Sequence, residues 1–593
     1  MDAVNIKNFY WKYPNFIGVV SDFALKNINL TVKPGEFFGI TGPSGAGKTS
    51  LCFSIAGLIP HQMQLNERDP RQYVSGTVQV FGEVVSAVEE KDGKHVITGK
   101  GVMAPDVGLV MQDPESQFLT MSVRQELSLG LQFLGLSKTE IDLRIKEALE
   151  RVGMVDIYDI SDKIHPTELS GGQKQRLIIA GFIAMRPKIL ILDEPTSDLD
   201  PAGKIEIIEA IQKLKKDGEL TVILVEHNPE LMQEFADRMI VLNEGAIVAM
   251  GKPDDIYSNI DLIDKYNIYA PEIAELNCGR DSKRCTTIEG FIKSIPQDAK
   301  FVKLPHVVPD ESGTPLVEVK DLKFAYEDGT QALNGLSFEV KQNELVALIG
   351  QNGSGKSTLS KILSGIEGNF RGTVKVADLD LHDVKNRRNM PRHVGYVFQN
   401  PDHQIFNRNV YAEVAYGLKN MGVTQSVIEE RVNTVLKSVN LIDKIKEDPL
   451  FLGRGQKRRL GVASVLAMHP EIIIVDEPTT GQDYKMSKEI MQLLKKLNED
   501  GTTIIVITHD MRLVAEFCPR SIVMNQGKIV YDGSTFDLFK NDKVLETASL
   551  RAPQIVRLSK EMVKVGISDD IMLTSEDVNR AYGKWIVIQN NDK

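Results

Sequence analysis

The sequence is poor in cysteine and has no long hydrophobic segment. Four cysteines in 593 residues are too few for a disulfide scaffold in a chain of this length. No apolar run approaches the roughly 18–20 residues that a membrane-spanning helix needs, and the N-terminus lacks the charged and then apolar layout of a signal peptide. We therefore expect a protein that is made and kept in the cytoplasm, where thiols stay reduced.

Basic residues are not in excess either. The formal net charge is −11 at pH 7, whereas proteins that bind nucleic acid usually carry an excess of positive charge. Hydrophobic residues make up 42% of the chain and charged residues 25%, which is ordinary for globular proteins, so large cores can form. The composition argues against nucleic acid as a partner and, at this length, for several domains.

What the sequence does contain is an internal repeat. The repeated segments are 42–49 with 350–357, 193–196 with 476–479, 225–227 with 507–509, and 270–273 with 552–555. Their order is the same in both copies, which predicts two domains of one kind. The first copy has about 21 additional residues between Lys48 and Gln112, around Gln62 to Met103. The stretch from Gln62 to Met103 is polar and mixed, so we predict a longer surface hairpin or loop there.

The repeats predict the domain boundaries. We place the first core at 1–258 and the second core at 315–545. Each core is followed by a small extension, at 259–314 and at 546–593. The run of residues 305–315 contains proline and glycine and is interpreted as the linker into the second core.

Each copy has a glycine-rich loop between an apolar strand pattern and a helix-like stretch. Glycines let backbone N–H groups converge on phosphate oxygens, and the following helix N-terminus adds a favourable dipole. Lys48 and Lys356 are expected to neutralise phosphate charge, and Thr49 and Ser357 to offer hydroxyl groups to Mg²⁺. The predicted ATP-binding residues of the two loops are Gly42, Pro43, Ser44, Gly45, Ala46, Gly47, Lys48, Thr49 and Ser50, and Gly350, Gln351, Asn352, Gly353, Ser354, Gly355, Lys356, Ser357 and Thr358.

Farther along each copy, an apolar run leads to a pair of acids, Asp193-Glu194 and Asp476-Glu477. Such a run predicts a buried parallel strand that ends at a site. The first acid suits the shell of a Mg²⁺ ion, and the second suits a general base that polarises an attacking water. A capping role for the acids is the alternative, and the glycine-rich loop before them favours the catalytic interpretation.

Between the loop and the acids of the first copy lies Leu169-Ser170-Gly171-Gly172-Gln173. With this segment the chain resembles the ABC ATPase superfamily, whose signature loop reads LSGGQ, and the resemblance covers nearly all of both cores. It implies two α/β P-loop cassette domains in tandem that bind and hydrolyse ATP. Each would have a mostly parallel core sheet, an antiparallel β part and a helical subdomain between the Q-loop, at Gln112 or Gln399, and the signature loop.

The resemblance also implies roles for single residues. The predicted catalytic residues are Gln112, Glu194, His227, Gln399, Glu477 and His509, where the glutamines match the Q-loop and the histidines match the switch histidine. The predicted metal ligands are Thr49, Gln112, Asp193, Ser357, Gln399 and Asp476. Tyr13 and Tyr326 match the aromatic residue that stacks on adenine, and Asp200 and Asp483 match the D-loop aspartate.

In this family two domains close head to tail over two ATP molecules, so each site takes its signature loop from the other domain. Ser170, Gly171, Gly172 and Gln173 are therefore expected to stabilise γ-phosphate charge. The second signature departs from the pattern, because Gly453 lacks the hydroxyl and Arg454 replaces a glycine. The family's assembly would put this defect at the site of Lys48, so we predict that the Lys356 site is faster. Arg454 reaching the phosphate would offset part of the defect.

A shared sequence phrase, Q-[DN]-P-x-x-Q, begins at the Q-loop glutamine in both copies, at 112–117 and 399–404. It resembles the ATPases of energy-coupling factor transporters, which import vitamins and metal ions such as cobalt and nickel. The resemblance implies a peripheral protein on the cytoplasmic face of the membrane. Its partners would be integral membrane subunits with coupling helices and a substrate-binding membrane subunit, and its two cassettes would pair within one chain.

Three other interpretations remain. A tandem sugar-import ATPase lacks the Q-loop phrase, and its second P-loop is commonly degenerate, whereas both are intact here. A soluble twin-cassette translation factor would have a long charged linker and bind RNA. A DNA-repair cassette protein would need zinc-type cysteine pairs or a coiled-coil insertion. The transporter ATPase fits the sequence best.

Overall fold

The structure is a computed structural model that describes the chain except for a set of short ranges. These ranges are 15–21, 64–68, 197–198, 200, 217–219, 267, 277–284, 297–298, 307–312, 328, 479–483 and 592–593. The chain divides into two compact units, Met1–Ser294 and Ile295–Lys593. Each unit contains an antiparallel sheet, a mostly parallel six-stranded sheet and helices. The predicted fold class, two α/β domains in tandem, is confirmed.

The strands of the first unit form two sheets. They are β1 (Val4–Trp11), β2 (Leu25–Val32), β3 (Phe37–Thr41), β4 (Val74–Val80), β5 (Glu83–Lys91), β6 (Lys94–Thr98), β7 (Val107–Val110), β8 (Ile189–Asp193), β9 (Thr221–Val225), β10 (Arg238–Asn243) and β11 (Ala246–Gly251). The antiparallel sheet has the order β2-β1-β4-β5-β6, and the six-stranded sheet has the order β11-β10-β3-β9-β8-β7. Within the six-stranded sheet all neighbours are parallel except β10 and β11. Every residue of β3, β8 and β9 is buried, because helices cover both faces of a parallel sheet.

The helices of the first unit are α1 (Lys48–Ile55), α2 (Val123–Phe133), α3 (Lys138–Arg151), α4 (Gly171–Ala184), α5 (Pro201–Lys216), α6 (Pro229–Phe235), α7 (Pro253–Tyr257), α8 (Ile260–Tyr266) and α9 (Ile288–Ser294). The predicted helical subdomain is confirmed, since α2 and α3 lie between the Q-loop and the signature and pack on α4. Helix α2 begins after Ser122, whose hydroxyl accepts the N–H of Gln125. Val123, Leu127 and Leu131 follow at helical spacing and are buried in the shared core.

The additional residues of the first copy form a β-hairpin, as predicted for this stretch. Strands β5 and β6 pair in antiparallel register from Ala87 with Thr98 to Lys91 with Lys94. The hairpin extends the antiparallel sheet at its edge.

The second unit repeats this plan with a shorter antiparallel sheet. Its strands are β12 (Pro315–Ala325), β13 (Gln331–Lys341), β14 (Leu345–Gly350), β15 (Arg371–Val376), β16 (Leu379–Asp380), β17 (Val394–Val397), β18 (Ile472–Asp476), β19 (Thr503–Ile507), β20 (Arg520–Asn525) and β21 (Lys528–Ser534). The sheet orders are β13-β12-β15-β16 and β17-β18-β19-β14-β20-β21. The helices are α10 (Lys356–Leu363), α11 (Val384–Asn389), α12 (Val410–Asn420), α13 (Gln425–Ser438), α14 (Arg454–Leu466), α15 (Tyr484–Glu499), α16 (Met511–Phe517), α17 (Thr535–Lys540), α18 (Asp542–Thr547), α19 (Gln554–Lys564) and α20 (Ser575–Asn591).

The start of the second unit packs on its own C-terminal part. Phe301 forms a β-bridge with Ser568 and stacks on Tyr582 with ring centroids 5.3 Å apart. Lys303 pairs with Asp570 at 3.0 Å. The division between the units thus falls before the predicted linker, much of which lies outside the described residues, and the predicted core boundaries stay a proposal. None of the helices in the described part of the chain has the length and hydrophobicity that crossing a bilayer requires.

Candidate active sites

The predicted site residues of each unit follow neighbouring parallel strands. In the first unit, β3 leads into the glycine-rich loop, β8 ends at Asp193, and β9 is followed by Glu226 and His227. These three strands are adjacent and parallel, so their carboxyl ends meet at one edge of the sheet, where ligands bind in folds of this type. Strands β14, β18 and β19 of the second unit are also adjacent and parallel, so the equivalent residues meet at one edge of that sheet.

The glycine-rich loops are held against the sheet at a position where only glycine fits. Gly42 has φ 144°, and a Cβ there would lie 2.0 Å from the carbonyl oxygen of Leu242. Gly350 has φ 151°, and its Cβ would lie 2.1 Å from the carbonyl oxygen of Met524. This close approach fixes the start of each loop, and the loop ends at the N-terminus of α1 or α10. Successive N–H groups in such a turn form a concavity that binds anions.

The loop lysines are buried and folded back on their own loops. The Nζ of Lys48 donates to the carbonyls of Gly42 at 3.0 Å and Pro43 at 3.2 Å. The Nζ of Lys356 donates to the carbonyls of Gly350 at 2.8 Å and Gln351 at 2.7 Å. Two positive charges of the same geometry are therefore fixed at the two loops, where they can neutralise phosphate charge.

The first acid of each pair contacts the hydroxyl that begins the loop helix. The Oγ1 of Thr49 donates to Asp193 at 2.7 Å, and Ser357 hydrogen-bonds Asp476. Burial raises the pKa of both carboxyl groups above the ordinary value. A buried carboxylate beside a hydroxyl is a set of hard oxygen donors that suits Mg²⁺, and a bound cation would offset the cost of burial.

The Q-loop glutamines lie beside these acids in the order of the sheet. Gln112 follows β7, the parallel neighbour of β8, and Gln399 follows β17, the parallel neighbour of β18. Their amide oxygens are of the donor type that completes a Mg²⁺ shell.

The second acid of each pair contacts the histidine after the adjacent strand. The Nε2 of His227 lies 2.9 Å from Glu194, and the Nδ1 of His509 lies 2.8 Å from Glu477. Burial favours a higher pKa for Glu477, but His509 and then Lys356 outweigh it, so the pKa is lower than usual. This carboxyl group is therefore ionised at neutral pH, as a base that accepts a proton from water must be.

The two tyrosines also occupy matching places. The hydroxyl of Tyr13 hydrogen-bonds that of Ser50 at 3.0 Å, and the hydroxyl of Tyr326 hydrogen-bonds that of Thr358 at 2.7 Å. Both rings therefore lie beside the first turn of the loop helix. Their role as adenine-stacking residues remains a prediction.

The two signature loops differ in how they begin their helices. Ser170 caps α4, since its Oγ accepts the N–H of Gln173 at 3.3 Å and its N–H donates to the Gln173 side chain at 3.0 Å. Gly453 keeps only the second of these bonds, to Gln456 at 3.1 Å. Ser170 and Gly171 are exposed, so this helix N-terminus is accessible to a ligand. The D-loop aspartates Asp200 and Asp483 lie outside the described residues.

Sequence reasoning missed several residues that hold these groups. Buried Glu226 accepts the hydroxyl of Thr196 at 2.6 Å and the N–H of His227 at 2.8 Å, and the signal was a lone acid after an apolar strand. Tyr396 donates its hydroxyl to Asp476 at 2.8 Å. The second glutamine of the Q-loop phrase also has a local role.

In both units the phrase folds as a short turn closed by its last residue. Gln117 accepts the N–H of Met111 at 3.0 Å, and Gln404 accepts the N–H of Phe398 at 3.3 Å. These N–H groups belong to the residues immediately before the Q-loop glutamines. The phrase therefore helps to position the Q-loop in addition to any contact with a partner.

Comparisons with known proteins show what this chain is similar to. The profile of a family described as "ABC transporter" matches residues 25–197 and 333–480. A protein of Caldanaerobacter subterraneus subsp. tengcongensis, named as an ABC transporter ATP-binding protein, is 38% identical over 93% of this chain and 95% of its own. One of the same description from Methanosarcina acetivorans is 36% identical over 97% of this chain and 93% of its own. The solved structure of cbiO1 from Clostridium perfringens, described as part of the ABC transporter complex cbiONQ, is 34% identical, covers 42% of this chain and 99% of its own, and has a TM-score of 0.37.

Proposed function

We propose, from the premise that this chain belongs to the ABC transporter family, that its two cassettes energise an importer of the energy-coupling factor type. Family membership makes the chain an ABC ATPase, the subunit of a transporter that binds and hydrolyses ATP. The observation that carries the proposal is the convergence of lysine, acid pair and histidine at two loops, each followed by the same Q-loop phrase.

The proposed hydrolysis uses residues that are already close together. Glu194 and Glu477 would accept a hydrogen bond from the attacking water and orient it. The paired histidines hold these carboxylates at 2.9 and 2.8 Å, and the loop lysines lower the cost of the phosphate charge.

Mg²⁺ fits the oxygen donors of both sites. Thr49, Asp193 and Gln112 would hold it in the first unit, and the second-unit residues that would hold it are Ser357, Asp476 and Gln399. When bound, the ion would neutralise phosphate charge.

Exposed apolar side chains near the Q-loops support membrane subunits as partners. Leu119 and Met121 are 78% and 76% exposed in the first unit, and Phe406 is 64% exposed in the second. Phe406 packs edge-on against half-exposed Tyr416 at 4.8 Å. Apolar clusters are rarely left exposed unless they bind a partner. We propose that these residues bind the coupling helices and that the chain lies on the cytoplasmic face of the membrane.

The two cassettes are proposed to close on each other within one chain. In that arrangement Ser170 and its neighbours complete the site of Lys356, and the loop with Gly453 completes the site of Lys48. The Lys356 site would then be the faster one, because a lost donor at such a position costs about 10²–10³ in rate.

Two experiments test the proposal. The first measures Mg-ATP turnover of the full chain, copurified with its membrane partners, for Glu194→Gln and Glu477→Gln. We expect Glu477→Gln to be the more damaging, and the opposite order would reverse the proposed asymmetry. If Lys356→Ala left turnover unchanged, the hydrolytic assignment would be wrong.

The second experiment identifies the membrane chains that copurify with the full chain from detergent extracts. A separate substrate-binding membrane subunit is expected for the energy-coupling factor type. Recovery with ribosomes and without membrane chains would contradict the proposal.

A further inference from the structure

The second cassette has a buried arginine at a position where the first cassette has a buried glutamine. Arg458 lies on α14, the helix that begins at the signature loop, and is 3% exposed. Aligning the signatures 169–173 and 452–456 places Gln175 at the corresponding position of α4, where it is 2% exposed. The two cassettes therefore differ by a full positive charge at equivalent buried positions.

Arg458 bridges two segments of its own site. Its Nη1 donates to the carbonyl of Phe398 at 3.0 Å and to that of Gln399. Its Nη2 donates to the carbonyl of Asp476 at 3.0 Å and to that of Glu477. A guanidinium has a rigid fork of N–H donors, so it can hold acceptors from separate segments at a fixed spacing.

Gln175 does not form an equivalent bridge. Its Nε2 is buried and, among the described residues, has no hydrogen-bond partner. The neighbouring arginines of the two helices bind elsewhere, since Arg176 donates to Val152 and Gly153, and Arg459 donates to Val439. The bridge is thus specific to Arg458 and not to the arginine-rich stretch as a whole.

We propose that Arg458 is a positioning residue for the Lys356 site. It fixes the backbone of the Q-loop glutamine Gln399 relative to the backbone of the base Glu477, so that the side chains of both residues stay aligned. Burying a charge is costly unless hydrogen bonds compensate it, and the carbonyls provide charge-assisted bonds. This inference rests on the proposed function, and it gives the Lys356 site a second advantage besides the intact signature.

The test uses the full chain with Glu194→Gln as background, so that turnover reports on the Lys356 site. Arg458→Gln introduces the residue of the first cassette, Arg458→Lys keeps the charge, and Arg459→Gln is the matched control on the same helix. Measurements are kcat and KM for Mg-ATP, affinity for the fluorescent trinitrophenyl analogue of ATP, and Tm.

We expect Arg458→Gln to lower kcat at least tenfold, because small misplacements of reacting groups cost up to about 10²-fold. KM and analogue affinity should stay within twofold, since Arg458 donates to the backbone of the Q-loop and of the acid pair, whereas Lys356 donates to its own loop. Arg458→Lys should restore part of kcat, and Arg459→Gln should stay within twofold of the background.

Two results would overturn the inference. One is a kcat of Arg458→Gln within twofold of the background. The other is a parallel loss of kcat, analogue affinity and Tm, which indicates a merely structural role. If Arg458→Gln does not fold, Arg458→Lys provides the test. A kcat lower than that of the background at unchanged Tm supports the inference, and an unchanged kcat overturns it. Failure of the unmutated chain to hydrolyse Mg-ATP would instead contradict the proposed function.

Discussion

Placing a hydroxyl in the second signature loop is a direct test of the proposed asymmetry between the two sites. Gly453 has φ −63° and ψ 156°, and Ser170 has φ −63° and ψ 160°. Serine adopts these angles without strain. A Cβ at Gly453 would have only the side-chain oxygen of Gln456 nearby, at 3.9 Å. The substitution Gly453→Ser therefore needs no rearrangement of its surroundings.

The structure separates the effect on stability from the effect on rate. A serine at this position would accept the N–H of Gln456, as Ser170 accepts that of Gln173 at 3.3 Å. Replacing a glycine cap by serine adds only a few tenths of a kcal/mol, which corresponds to about 1 °C in Tm for a domain of this size. A donor aimed at developing charge is worth about 10²–10³ in rate. A catalytic effect will therefore be large where the stability effect is small.

The assay is phosphate release at saturating Mg-ATP by the full chain. Gly453→Ser is made with Glu477→Gln as background, so that turnover reports on the site of Lys48 and Glu194. We expect a rise of at least tenfold. Ser170→Gly with Glu194→Gln is the matched control and should fall by a similar factor. A rate for Gly453→Ser within twofold of its background would refute the reasoning that the missing hydroxyl slows this site.

Three further predictions concern the residues around the acids. Glu226→Gln should lower the free energy of unfolding by about 1–3 kcal/mol, because buried donors lose a charged acceptor; denaturant titration measures this, and an unchanged midpoint would contradict it. Tyr396→Phe should shift the acidic limb of the kcat–pH profile to higher pH, because burial raises the pKa of Asp476 and the tyrosine hydrogen bond opposes that rise. An unshifted limb would show that the bond is unimportant. In a chain with Glu194→Gln, His509→Gln should also shift the acidic limb of the kcat–pH profile to higher pH, because the histidine lowers the pKa of Glu477. A limb that stays in place or moves to lower pH would contradict the pairing of His509 with Glu477.

Much of the fold follows from short contiguous patterns. Helix α2 was predictable because Val123 and Leu127 repeat at helical spacing, and the buried strand before Asp193 was predictable because four apolar residues precede it. The hairpin of the first unit could be expected from the length difference between the copies, but its register depends on pairing between β5 and β6. Local patterns are informative here because the spacing of apolar residues within one helix or strand reflects its conformation and its buried face.

The two glycine-rich loops, the acid pairs and the altered second signature can be identified without a structure, since each is a contiguous set of residues with its own chemistry. The other side chains that hold those groups are known only from how the chain packs. The contacts of Glu226 with Thr196, Tyr396 with Asp476 and Arg458 with the Q-loop join residues 30, 80 and 59 positions apart. Such contacts depend on how the helices pack on the sheet and on which strands are neighbours. No local pattern along the chain specifies contacts between residues that are so far apart in sequence.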